Sequence, residues 1–392
     1  MKKGWEVKKL GDVCQFVGGS QPPKSMFTKI ETPGYVRLIQ IRDYKSDDHV
    51  VFIPRNKAKR LCAVDDIMIG RYGPPVFQIL RGLEGAYNVA LMKAVPDEAQ
   101  LSRDFLFYFL KSPKTQQHVI ALSERAAGQS GLNKETLEPY PILLPPLPEQ
   151  QRIVGILDKA FEGLAVAVAN AEKNLQNARA LFESHLQSVF TQRGEGWEEK
   201  PLEDICVKIT DGEHLRPNVT SSGVPFLSAK DVLAHDVVFT DSLFVSEADA
   251  AKFRRRCNPE KGDILIVSRG ATVGRTCVVK TDRIFCLLGS VILLKVRDSH
   301  LSQFISYWLK SPIIKNQLMT ASESAAQQAI YLRDIKRLKV GCPPIGVQQS
   351  FVEQLDTLSE KTQRLATIYE RKLAALLELK KSLLHQAFCG EL

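Results

Sequence analysis

Two stretches of this 392-residue chain, "LPPLPEQQRIVGILDKAF" at 144–161 and "CPPIGVQQSFVEQLDTLS" at 342–359, write the same loop-to-helix junction 198 residues apart. Other landmarks recur in the same order. "GWEVKKLGDVC" (4–14) matches "GWEEKPLEDIC" (196–206), and "YFLKSP" (108–113) matches "YWLKSP" (307–312). "SERAAGQ" (123–129) returns as "SESAAQQ" (322–328), and "SHLQSVF" (184–190) as "SLLHQAF" (382–388). Landmarks at a near-constant offset define a tandem duplication whose period is domain-sized, far longer than a solenoid repeat. A chain of this length also exceeds one ordinary core, so two similar globules are expected.

Between the landmarks the copies diverge. "IMIGRYGPPVFQIL" stands where the second copy has "ILIVSRGATVGRTCVV", sharing a D-I-x-I strand and a following Arg and Gly. A shared frame with unlike middles suits one architecture presenting two surfaces, although plain structural drift leaves the same trace. Each copy opens with about 145 residues of short β-like runs ("YVRLIQI", "DIMIG", "DILIVS", "SVILLKV") among Gly, Pro and Asp turns. One clear helix follows, "SRDFLFYFLKSP" or "LSQFISYWLKSP", stopped by Ser-Pro. The expected class is α+β: two tandem α/β globules, 1–147 and 194–345, each followed by a long helix, 148–193 and 346–392.

The long helices carry the strongest periodicity. From 149 to 190 there is no proline, and Leu157, Phe161, Leu164, Val168, Ala171, Leu175, Ala178, Phe182, His185 and Val189 step by four and three. That is a heptad seam interrupted by His185, on a rod of about 63 Å. The second copy carries Phe351, Leu355, Leu358, Thr362, Leu365, Tyr369, Leu373, Leu376 and Leu383. Helices of this length need a partner for the seam, and packing on each other as an antiparallel coiled coil is the economical arrangement. Such a pair would set the globules at opposite ends in pseudo-twofold relation, spaced for two patches on one long, regular ligand. A DNA duplex is such a ligand. Apolar residues off the seam (Val154, Val166, Leu181, Leu186, Leu377, Leu379, Leu384) suit either packing on the globules or docking of further helices.

Composition narrows the field. Hydrophobic content of 44% with 25% charged residues describes a globular chain, and no apolar run reaches the ~18 residues of a membrane span. The start "MKKGWEVKKL" has no signal-peptide core, so a cytoplasmic location is expected. The eight cysteines include no C-x-x-C pair, which argues for reduced, buried thiols rather than zinc or disulfides. A net charge of +9 favours polyanions, nucleic acid first. G-x-x-x-x-G-K-[ST], H-E-x-x-H and G-x-S-x-G are missing, and "YGPPVF" only imitates the Asn-Pro-Pro-aromatic signature of adenine methyltransferases. No catalytic residue, metal ligand or cofactor site is expected in this chain.

The junction "LPPLPEQQRIVGILD", its echo "CPPIGVQQSFVEQLD", the "GW…L.D" openings, "GDILIVSRGATVG" and "GQSGLNKETL" together resemble the specificity (S) subunit of type I restriction–modification systems, over essentially the whole chain. The echo departs from the family pattern where Val347 stands in the place of Glu149. The resemblance implies two target-recognition domains, each reading half of a bipartite, asymmetric DNA target, with the helices setting the unread spacer. It further implies two methyltransferase (M) subunits that carry S-adenosylmethionine and methylate adenine N6, and a motor-nuclease (R) subunit that can join. The S subunit would itself be non-catalytic.

Base readout requires polar side chains on turns and helix starts, with Lys and Arg more loosely placed along the backbone. In the first domain Lys24, Arg37, Gln40, Arg42, Arg71, Tyr72, Gln129, Ser130, Asn133 and Lys134 meet that description. In the second, His214, Arg216, Lys230, Arg254, Arg255, Arg256, Ser268, Arg269, Arg275, Gln327, Gln328 and Tyr331 do. Arg42 and Lys230 each precede an aspartate, so local ion pairs compete with a DNA role, and "KFRRR" also reads as a solvated face. Arg71 and Arg269, on similar turns, are expected to match. The competing reading of the whole chain is a protein-interaction scaffold, two globular heads on a coiled-coil rod with incidental charge.

Overall fold

The computed structural model describes residues 4–392 apart from 74, 126–130, 193, 216, 299 and 323–328, and the side chains of 124, 125 and 319–322 also lie outside it. The chain divides into two compact units: Met1–Glu172 with Arg371–Leu392, and Lys173–Glu370. Each unit therefore takes half of each long helix.

Unit 1 opens with β1 (Glu6–Lys9), α1 (Leu10–Val13) and β2 (Cys14–Gly18). Seven short strands follow: β3 (Tyr35–Ile39), β4 (Phe52–Pro54), β5 (Leu61–Cys62), β6 (Ile67–Gly70), β7 (Gln78–Leu80), β8 (Gly85–Tyr87) and β9 (Leu91–Pro96). Then come α2 (Arg103–Lys111), α3 (Pro113–Arg125), α4 (Lys134–Leu137), β10 (Pro141–Leu144) and the long α5 (Leu147–Thr191). The strands form an antiparallel sheet β2-β9-β6-β7, a mixed sheet β4-β3-β8-β5 with β3 and β8 parallel, and the ribbon β1-β10.

Unit 2 repeats the plan with β11 (Glu198–Pro201), α6 (Leu202–Ile205), β12 (Cys206–Asp211), β13 (Val224–Leu227) and β14 (Leu243–Val245). It continues through α7 (Glu247–Arg256), β15 (Ile264–Val267), β16 (Thr276–Val278), β17 (Cys286–Leu287) and β18 (Val291–Val296). It ends with α8 (Ser302–Lys310), α9 (Pro312–Ser322), α10 (Leu332–Lys336), β19 (Lys339–Cys342) and the long α11 (Ile345–Cys389). The sheets are β12-β18-β15-β16, β14-β13-β17 and β11-β19. The duplication expected from the landmarks is present, with two departures among the described residues: β5 has no counterpart in unit 2, and α7 has none in unit 1. The helices α2 and α8 do stop at Ser-Pro, and the same prolines then open α3 and α9, since the first helical turn needs no N–H there.

The junction has a physical reason. Gln150, fully buried, accepts from the Ser102 N–H at 2.8 Å and donates to the carbonyls of Gln100 (2.7 Å) and Pro145 (2.8 Å). Gln348 accepts from the Leu301 N–H at 3.0 Å and donates to Pro343 at 2.8 Å. One amide thus ties the start of each long helix to the loop that launches α2 or α8, satisfying backbone groups shut away from water. A second tie follows two turns later: Tyr108 donates to Asp158, and Tyr307 to Asp356.

The long helices complete both cores. In unit 1, Phe388 of α11 stacks edge-on with Phe105 (5.1 Å) and Phe109 (5.6 Å) of α2, beside Ile153 and Leu157 of α5. In unit 2, Leu186 and Phe190 of α5 and Leu355 of α11 pack with Phe304 and Trp308 of α8. Within each unit the helix halves run antiparallel. Arg152 donates to the Leu392 oxygen and Lys380 lies over the Phe161 ring in unit 1, while Arg179 pairs with Glu370 at 2.8 Å in unit 2.

The expected seam of α5 is buried or half-buried at every position. In α11 one residue departs from it: Leu365 is 41% exposed and Ala366 is turned inward. The seam steps by four after Thr362 rather than by three. Thr362 is itself accommodated because its hydroxyl donates to the Leu358 carbonyl at 2.8 Å. All eight cysteines are free, seven of them buried and Cys389 exposed.

Candidate nucleic-acid interface

In unit 1 five segments converge at one end of the two larger sheets. The Asn88 N–H donates to the Ile39 carbonyl (3.1 Å), joining the end of β3 to the β8–β9 loop. The Arg71 N–H donates to Ala90 (2.9 Å), and the Leu132 N–H donates to Arg71 (2.9 Å), which adds the turn after β6 and the segment before α4. The Gly19 N–H reaches Leu91 at 2.9 Å, bringing the loop that leads to Lys24.

Unit 2 builds the same knot. Leu288 donates to Leu227 (2.8 Å), Ser268 to Ser290 (2.8 Å), Ile330 to Ser268 (2.8 Å) and Gly212 to Val291 (3.1 Å). These bonds fix which residues correspond. Arg71 falls opposite Ser268, and Tyr72 opposite Arg269, with Gly73 and Gly270 both at positive φ one residue later. The expected match of Arg71 with Arg269 is therefore corrected by one residue.

The correction changes the roles. Arg71 is bound inward, its Nε donating to the Leu132 carbonyl at 2.7 Å and an Nη to Val89 at 3.2 Å, so it holds two loops together. Ser268 is buried with its hydroxyl against the Gly289 carbonyl, and it does not lie open in its turn as the sequence suggested. Tyr72 and Arg269 are the exposed members. The Tyr72 ring sits against Gly131, where an added Cβ would stand 2.2 Å from it, and the Arg71 guanidinium lies 5.3 Å from the ring centroid.

Around Tyr72, Asn133 caps α4 by accepting from the Thr136 N–H (3.2 Å), and Lys134 is exposed, 4.0 Å from Glu138. Lys24 and Arg42 are exposed on short 3₁₀ turns, and Gln40 is half-buried at the end of β3. Arg37 is tied to Asp47 at 2.8 Å. Around Arg269, the His214 ring packs against Gly289 with its Nε2 2.7 Å from Asp211, whose other oxygen pairs with Arg256. Arg255 and Tyr331 are exposed, Arg254 is half-buried, Lys230 donates to the Asp241 carbonyl (2.8 Å) and Arg275 to Val232 (3.2 Å). Gln129, Ser130, Arg216, Gln327 and Gln328 fall outside the described residues.

The local ion pairs weighed for Arg42 and Lys230 do not form. Asp43 and Asp231 instead accept from the backbone N–H three residues earlier, Gln40 at 2.9 Å and Ser228 at 2.8 Å, and so cap matching turns. Burial pushes the Asp43 carboxyl above its ordinary range, although that N–H and the charges of Arg37 and Arg42 oppose the rise. The loops 88–90 and 288–290, central to both knots, carry no charge or motif that would single them out in sequence. The register of Tyr72 against Arg269 was available by counting from Asp66 and Asp263. Among the described residues no group of three or more His, Cys, Asp or Glu could hold a metal ion.

A repeated α+β frame that gathers polar loops at the same end of each copy defines a tandem recognition module. The family described as "Type I restriction modification DNA specificity domain" matches residues 2–174 and 194–371. The EcoKI specificity subunit of Escherichia coli (strain K12) is 23% identical over 422 residues, covering all of this chain and 90% of that subunit. A chain solved in work on complex assembly and conformational transition of the type I R-M system covers this chain fully and is itself 99% covered, with TM-score 0.82 and 22% identity. The HsdS subunit from Thermoanaerobacter tengcongensis follows with TM-score 0.62, 21% identity and coverage of 100% and 98%. The chain belongs to the type I restriction–modification specificity family, with the domain present twice. It is a non-catalytic specificity subunit, and catalysis lies in other subunits. No helix among the described residues is long and apolar enough to cross a membrane.

Proposed function

We propose that this chain reads a bipartite, asymmetric double-stranded DNA target, one half-site per recognition domain. In this reading it positions two methyltransferase subunits, which carry S-adenosylmethionine, for adenine N6 methylation, and a motor-nuclease subunit can join for cleavage. The observation that carries the reading is the unlike filling of one repeated knot: Tyr72 stands where the other copy has Arg269. Equal domains would favour a symmetric target, whereas Tyr and Arg present different groups to base edges. The apolar residues left exposed on the helix halves, Val166 and Leu377 in unit 1 and Leu181 and Ile368 in unit 2, favour one partner helix surface per unit.

The test is single-molecule mapping of adenine N6 methylation in cells expressing this chain with its neighbouring methyltransferase. A split motif with unlike halves and a fixed unread gap is expected. A complex shown to assemble but leaving no new methylation would overturn the reading in favour of a scaffold.

A further inference from the structure

The stretch between β4 and β6 and the stretch between β14 and β15 occupy the same place in the repeated frame. β4 pairs antiparallel with β3, as β14 does with β13, and β6 lies between β9 and β7, as β15 lies between β18 and β16. The fillings share no backbone structure. In unit 1 "RNKAKR" (55–60) forms a 3₁₀ turn, Arg55–Lys57, and runs into the edge strand β5, whose Leu61 pairs with Ala86 of β8. In unit 2 the place is taken by α7, packing Ala250 and Phe253 on Phe226, Val245 and Cys286.

What the two fillings share is charge. Unit 1 carries Arg55, Lys57, Lys59 and Arg60, and unit 2 carries Lys252, Arg254, Arg255 and Arg256. All four cations of unit 1 are exposed, and among the described residues none is held in an ion pair, although Glu31 and Glu84 line the same cleft as Arg55. Each filling is also wired to its knot of loops. The Tyr87 N–H donates to the Arg60 carbonyl at 3.2 Å, one residue before the 88–90 loop, and Arg256 shares Asp211 with His214. A solvated face without a ligand has no reason to keep four cations on two unrelated scaffolds beside the same loops.

We propose that Arg55, Lys57, Lys59 and Arg60 form a strip that binds the phosphodiester backbone of duplex DNA beside the first half-site, doing for unit 1 what the arginines of α7 do for unit 2. The proposal rests on the DNA-reading function above and adds the segment that grips the backbone there. Such contacts position the protein without carrying sequence information, and each releases condensed counterions.

The experiment compares the full chain with a variant carrying Arg55→Gln, Lys57→Gln, Lys59→Gln and Arg60→Gln, titrated against a mixed-sequence duplex over a range of salt. The slope of log affinity against log salt is expected to shallow by about 3 to 4, with the methylated motif unchanged in the assembled complex. The pair Arg254→Gln with Arg255→Gln, on a different scaffold, is expected to shallow it by about 2. A wild-type slope in the quadruple variant overturns the strip while leaving DNA reading intact, and an altered first half-site overturns it in favour of base contact. A wild-type chain that shows no salt-dependent binding overturns the DNA reading itself.

Discussion

Compare the foot of each recognition domain, where it meets the long helices, with the far end, where its loops gather. At the foot the copies agree side chain by side chain: Gln150 with Gln348, Tyr108 and Asp158 with Tyr307 and Asp356, and Leu157 with Leu355. At the loops they agree only in backbone hydrogen bonds, and the side chains hung on those bonds differ. Core packing and buried amides tolerate little change, because a lost methylene or an unpartnered donor is costly. An exposed loop side chain costs little to replace, so a duplicated chain can hold one frame while its two surfaces part.

The copies also differ in a way that alkaline solution should expose. Burial pushes the thiols of Cys14 and Cys62 in unit 1 up to about 12 and about 11. In unit 2 it raises five: Cys206, Cys257 and Cys277 to about 12, and Cys286 and Cys342 to about 11. An unfolded thiol releases its proton near pH 9, so above that the unfolded state is favoured, by about 1.4 kcal/mol per pH unit for each group. The contribution is fully present below about pH 9 and is lost as pH rises toward the folded values. Phenols raised by burial (Tyr44, Tyr87 and Tyr108 in unit 1, Tyr307 in unit 2) add their own losses above about pH 10. Between about pH 9 and 10, before they do, unit 2, with five such thiols against two, is expected to lose protection first, by about 4 kcal/mol at about pH 10. Peptide-resolved hydrogen exchange reads this directly, and unit 1 opening first would break the comparison.

Two smaller perturbations ask whether the foot is as equal as it looks. Leu157→Ala and Leu355→Ala each empty a fully buried site and should cost about 2–5 kcal/mol, with the two values close to one another in denaturant unfolding. Gln150→Ala and Gln348→Ala strand a buried N–H and carbonyl and should each cost about 2–3 kcal/mol. A large inequality within either pair would show that the repeated contacts do not carry equal weight.

The foot was legible in the sequence and the loops were not, for related reasons. The heptad seam, the Pro-Pro-Gln junctions and the Ser-Pro stops are local patterns whose physics acts within a few residues. Leu365 escaped because a step of four and a step of three are both helical, and only the opposing surface chooses. The junction glutamines stood out as a motif, but their partners lie about 48 residues upstream and could not be read from spacing. Arg71 and Ser268 were singled out by residue type, which does not reveal that tertiary bonds draw one side chain inward and bury the other. The "RNKAKR" strip was muted because Asn56 and Ala58 break its charge run, whereas "KFRRR" concentrates the same charge.

The smallest effect in energy is the sharpest test of the comparison. If Tyr72 and Arg269 hold equivalent reading positions, Tyr72→Ala should relax one half of the methylated motif and Arg269→Ala the other. Each should lose about 1–3 kcal/mol of discrimination at one or two base pairs and leave the remaining half intact. Arg71→Ala should behave differently, because its guanidinium holds the carbonyls of Leu132 and Val89. It is expected to loosen the loops of unit 1, visible as faster hydrogen exchange at 88–90 and 131–133, and to weaken the whole first half-site rather than one base. Ser268→Ala, buried beneath the corresponding turn, should leave the motif as it was. If Arg71→Ala instead changed a single base with the loops unmoved, the register of Tyr72 against Arg269 would be wrong, and Arg71 with Arg269 would return as the reading pair.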